Sequence, residues 1–308
     1  MSRRSLLRAG RVAYLAILAG LLVWLVWTRR SDLAEVLQSA RLSLIVVALI
    51  LSFGQIGLGS SFWNSSLKAL DQPTTFEQVL VASGRSLFAR YVPGSLWYAA
   101  GKSALLARHG IAATPLIVTA GLEMLLSVVT AFVIGLTLLV LGGELPGGAW
   151  WAVPPLGFGG LALSRPALNR FISWLARRRN QGDPPRLSNR AYLRLFAWTV
   201  AYWAWTSTNF VIFLHAFPDL ATGPAWVLAG AFMVAWGVGF LAPIAPQGVG
   251  VFEVTLAALL VSEGRTYVAV ILGGFRALML VRDAVATAAA ELSSSARRGA
   301  PPVSPRMD

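Results

Sequence analysis

The sequence has no cysteine, two histidines and few charges. Without cysteine there is no disulfide, no thiol nucleophile and no thiolate-ligated metal. His109 and His215 leave little room for a histidine-based metal site, and no cofactor is expected. Enzyme signatures are missing as well. No Asp-x-Asp or His-Glu-x-x-His occurs, no Ser/His pairing suggests itself, and the neighbours Lys102 and Ser103 are too weak a signal for a dyad. The chain is therefore not expected to be an enzyme. Only 13% of its 308 residues are charged, against about 25% in an ordinary soluble domain. That is too little charge to cover a water-facing exterior.

What the chain has instead is apolar sequence, 56% of the total, in blocks long enough to cross a bilayer at about 20 residues per helix. Six stretches read as full spans: residues 10–28, 42–63, 115–141, 149–164, 191–217 and 266–291. The first resembles a signal peptide, but its apolar run is long for one and no small-residue cleavage site follows, so it reads as an uncleaved span. Two further apolar stretches, residues 76–107 and 225–262, are interrupted by RYVPGSLWYAAGK and APIAPQGVGVFE. Proline removes a backbone donor and clashes with the preceding turn, so each stretch reads as two shorter helices joined at a break, in the manner of a re-entrant hairpin. Such backbone is tolerated at membrane depth only where it is buried in protein or lines a wet cavity. The linkers SDLAEVLQSA and RPALNRFISWLARRR each put apolar residues on one helical face and read as interfacial helices. The expected fold is an all-α polytopic membrane protein, with about six spans and two Pro/Gly-broken helix pairs.

The net charge of +13 does not point to nucleic acid. The arginines lie between the apolar blocks and at both ends, where cations orient a membrane protein and meet anionic headgroups. The positive-inside rule places both termini in the cytoplasm, in a plasma-membrane protein. In that topology residues 10–142 and 149–291 carry the same order of elements, one half upside down. The whole of 1–308 then forms a single membrane domain built as a possible inverted repeat, and residues 292–308 form a disordered cytoplasmic tail. Paired broken segments in corresponding halves point to a transporter-like site at the midplane.

A charge facing lipid at mid-span costs about 2.5–3.5 kcal/mol. Glu123, Glu253 and Arg276 must therefore face protein, water or the interface. They form either a substrate path or a structural ion pair, such as Glu253 with Arg276. Arg90 and Lys102 flank the first break, and serve either as donors to a lipid phosphate or as snorkelling interfacial cations. A helix begins after Pro93-Gly94 and another after Pro246-Gln247-Gly248. Their free amides, including those near Gly248 and Gly250, favour an anion. Six tryptophans near span ends or in the fifth span (Trp150, Trp151, Trp198, Trp203, Trp205 and Trp226) read as anchors and packing residues. Thr206, Ser207, Thr208 and Asn209 suggest interhelical hydrogen bonding.

The segments RYVPGSLWYAAGKSALLARHGI and GFLAPIAPQGVGVFEVTLAALL resemble flippase-like membrane proteins related to the transmembrane part of lysylphosphatidylglycerol synthase. Tyr91, Pro93, Gly94, Trp97, Gly110, Ile111, Glu123, Ala242, Pro243, Gly248, Gly250 and Glu253 carry the resemblance. Gln247 departs from it, standing where glycine is more usual. The resemblance implies translocation or handling of an anionic membrane lipid, a phospholipid or a polyprenyl phosphate. It does not imply aminoacyl transfer, which a separate soluble domain performs in the full synthase; this chain is not expected to aminoacylate lipids by itself. A membrane-embedded lipid-modifying enzyme and a non-catalytic partner of an envelope enzyme are the alternatives.

Overall fold

The computed structural model describes residues 38–92, 96–145, 148–178, 186–218, 223–242, 248–260 and 267–299. The expected first span, Pro93, Gly94, Pro243, Pro246, Gln247 and residues 300–308 lie outside the described residues.

Within them the chain forms nine α-helices and no strand. Helix α1 is Leu42–Ala69, α2 Phe76–Ser86, α3 Trp97–Ala107, α4 Ala113–Leu141, α5 Val153–Arg178, α6 Asn189–Leu214, α7 Ala225–Phe240, α8 Val251–Leu260 and α9 Tyr267–Gly299. Short 3-10 helices cover Leu87–Tyr91 and Gly148–Ala152. By length and composition α1 and α4 are apolar enough to cross a membrane. Only 17% of the most apolar window of α1 is buried. Large apolar side chains such as Ile50, Leu156 and Leu193 stand exposed, the pattern of helices solvated by lipid rather than water.

Local sequence explains several boundaries. Thr75 and Gln78 form a reciprocal capping box at the start of α2, satisfying two otherwise orphaned amides. Ser188 caps α6 through the amide of Ala191. The two broken stretches divide as their prolines and glycines require, into α2 and α3 and into α7 and α8.

Two boundaries differ from expectation. The fourth span and the amphipathic linker after it are one continuous helix, α5, running through Pro166. Pro154 and Pro155 fall in its first turn, where a missing N–H costs little. Past Pro166 the helix is held by Asn169, which exchanges two hydrogen bonds with the backbone of Leu187 (3.1 and 2.9 Å). The last helix also continues beyond residue 291. Residues 292–299 are helical rather than part of a disordered tail, because ELSSSARRG holds no helix breaker before Pro301.

The halves pack reciprocally. α1 packs on α6, its counterpart. α4 packs on α7 as α9 packs on α2, and α4 on α6 as α9 on α1. Within the halves, α2–α3 matches α7–α8 and α3–α4 matches α8–α9. Exchanging the halves therefore carries these pairings onto one another. Two hydrophobic cores result. One centres on α7, where the Phe232 ring meets those of Phe210, Phe252 and Phe275, and Phe210 also meets Phe275. The other gathers Trp63, Leu67, Leu122 and Leu195.

Candidate functional site

Between the two cores lies a cavity of about 200 Å³. The first half contributes Gln55 of α1, Arg90, Tyr98 of α3 and Glu123 of α4; the second contributes Trp198, Tyr202, Trp236, Gly248 and Arg282. The break between α2 and α3 places Arg90 there. The 3-10 turn Leu87–Tyr91 ends α2 and turns the chain.

Arg282 is the most constrained cation, with a relative exposure of 2%. Its Nη1 donates to Gln55 Oε1 at 2.6 Å and to Ser52 O at 3.3 Å. Its Nε donates to Asp283 Oδ1 at 2.8 Å, and Nη2 lies 2.6 Å from the same oxygen. Because a guanidinium can only donate, Gln55 must turn its carbonyl to Arg282. The buried Gln55 Nε2 then has no partner among the described residues. The other oxygen of Asp283 accepts from Tyr91 OH at 3.0 Å and lies 3.5 Å from Arg90 Nη1. Arg90 also stacks over Tyr98, 4.6 Å from the ring centroid.

Lys102 occupies a different place from the one expected. It is fully buried, does not line the cavity and pairs with Glu123 at 3.5 Å. Its ammonium lies 4.2 and 4.5 Å from the ring centroids of Trp63 and Tyr98. Direct contact of Lys102 with a phosphate does not match this geometry; it neutralises Glu123 from behind the wall.

In the second half Glu253 of α8 pairs with Arg276 of α9, and Arg276 stacks over Phe252. The pair joins the helices that correspond to those joined by Lys102 and Glu123, with the charges exchanged. It stands apart from the cavity. Glu253 also accepts the Gly250 amide at 2.7 Å. That N–H, expected to be free for an anion, is used locally as an N-terminal cap. Gly248 does reach the cavity. Its φ is +66°, and a Cβ there would meet the backbone of Gly239, so glycine is required.

The sequence reading did not single out Arg282, Asp283, Gln55 or Tyr98. An adjacent Arg-Asp pair inside the last apolar block was the available signal for the first two. Nor do all the polar expectations hold. The buried side-chain oxygens of Thr206 and Ser207 and the amide of Asn209 find no hydrogen-bond partner among the described residues. The tryptophans do pack: Trp203 Nε1 donates to Ser127 O at 3.0 Å and Trp205 Nε1 to Leu51 O at 2.7 Å.

A largely apolar cavity that carries a few charged side chains, among helices that expose apolar side chains, defines a membrane protein with an internal site. Residues 11–282 match the family described as the lysylphosphatidylglycerol synthase TM region. The chain belongs to that family, as the resemblance implied, and is a membrane protein whose family is tied to lipid modification or translocation. No curated protein is similar enough to count as a match.

Proposed function

We propose that the protein is a multi-pass lipid translocase of the plasma membrane, with both termini in the cytoplasm. It moves an anionic phospholipid or a polyprenyl-phosphate lipid between leaflets and carries out no covalent step. The observation that carries this reading is the juxtaposition of Arg90 and Arg282 on one cavity wall with a single carboxylate, Asp283, between them. Arginine binds phosphate bidentately. The family description supports the substrate class, since it names a synthase of a phosphatidylglycerol lipid. Reciprocal packing of the halves supports alternating access around a central site. In this reading the ligand is a membrane lipid and not nucleic acid.

The test is reconstitution into vesicles carrying a fluorescent phosphatidylglycerol, with leaflet exchange followed by quenching from outside. The protein should accelerate exchange, and Arg90→Gln should slow it by about tenfold or more, because a charge-assisted hydrogen bond contributes about 1.5–3 kcal/mol. Arg108→Gln, at the end of α3, should matter little. Exchange no faster than in protein-free vesicles rejects translocation. A new lipid species formed by the purified protein and a donor would instead establish the lipid-modifying alternative.

A further inference from the structure

On the reading that this cavity takes a lipid phosphate, we infer that Asp283 sets its charge selectivity, admitting a headgroup with one negative charge and disfavouring one with two. Asp283 is fully buried and stands behind both arginines rather than on the cavity surface. Each of its oxygens is engaged: Oδ1 by Arg282, Oδ2 by Tyr91 and Arg90. The two arginines are held unequally. Arg282 has committed four of its five donor hydrogens to Asp283, Gln55 and Ser52. Arg90 contacts Asp283 only at 3.5 Å and makes no hydrogen bond to any other described residue. Arg90 is therefore the arginine with donors available to a ligand.

The ionic balance follows from these residues. Among the described residues in and behind the cavity, Arg90, Lys102 and Arg282 are countered by Glu123 and Asp283. One positive charge is uncompensated. At low dielectric an unpaired charge is costly, so the site is completed by a single negative charge. A phosphodiester supplies one. A phosphomonoester, with its second ionisation at pH about 6, supplies nearly two above neutrality. Asp283 already provides the charge that the second ionisation would otherwise bring. Of the two lipid classes proposed above, the phosphodiester fits.

The experiment is native mass spectrometry of the full chain released from nanodiscs containing equal phosphatidylglycerol and phosphatidic acid at pH 8.5. The readout is the ratio of retained phosphatidic acid to retained phosphatidylglycerol. The wild-type protein should favour phosphatidylglycerol. Asp283→Asn should raise the ratio at least about tenfold, the scale of one charge–charge interaction across about 12 Å at an effective dielectric of about 20. Arg90→Gln should lower the ratio while weakening both lipids, and the double variant should return it to the wild-type value. If Asp283→Asn does not fold, Arg90→Gln and the double variant decide the matter. An unchanged ratio in the single variants, or loss of both lipids in parallel with Asp283→Asn, overturns the role of Asp283 and leaves the lipid site standing. A wild-type protein that retains neither lipid overturns the lipid site itself, and the selectivity with it.

Discussion

Lys102 is the residue whose place in the structure most changes its meaning. A lysine with no exposed surface survives only because Glu123 and two ring faces surround it. Lys102→Met should therefore destabilise the protein by about 3 kcal/mol, toward the lower end for breaking a buried pair because Glu123 keeps 23% exposure. Lys102→Met combined with Glu123→Gln should recover most of that loss, because no uncompensated charge is left. Thermal unfolding in detergent measures both, and a double variant no better than the single one rejects the pairing. The charged residues were legible one by one, because an ionisable group in an apolar span stands out. Their partners were not. Lys102 and Glu123 are 21 positions apart, and Arg90 reaches Asp283 across most of the chain. Arg282 and Asp283 escaped notice because adjacent opposite charges cancel in any count of net charge.

At the scale of elements, the approach of α4 to α7 rests on two facing glycines. A Cβ on Gly135 would lie 2.9 Å from Gly230 O, and a Cβ on Gly230 would lie 2.9 Å from Gly135 O. Small residues let membrane helices approach this closely. Gly135→Leu or Gly230→Leu should therefore push α4 from α7 and sharply reduce the yield of monodisperse protein in size-exclusion chromatography. Gly121→Leu on the same α4 helix, where a Cβ meets nothing within 4 Å, should be tolerated. Equal behaviour of all three variants would show that the contact carries no packing role. The broken helices were readable because proline and glycine act locally on the backbone. Helix α5 was not, because its passage through Pro166 depends on the distant Leu187 backbone, which ties down Asn169.

At the scale of the whole molecule, orientation remains a prediction with a direct test. The cysteine-free chain allows single cysteines to be introduced on a silent background. Cysteines at Ser2, Ser173 and Ser304 should react with impermeant reagents only from the cytoplasmic side, and those at Gly147 and Thr222 only from outside. Labelling of both groups from one side would reject the proposed topology. The order of elements in each half is an expectation from hydropathy, and the described helices α1–α4 and α6–α9 make matching pairings. The sequence by itself determined the lipid environment, the positions of most helices, the two breaks and the family. All of these follow from composition, run length and the local backbone chemistry of proline and glycine. Only the tertiary structure decided which charges meet. It put Lys102 and Asp283 behind the cavity wall, Arg90 and Arg282 on it, and the Glu253–Arg276 pair outside it. Pairing across two hundred residues depends on how helices cross and rotate, and helix crossing is set by the summed packing of many side chains that no single motif records.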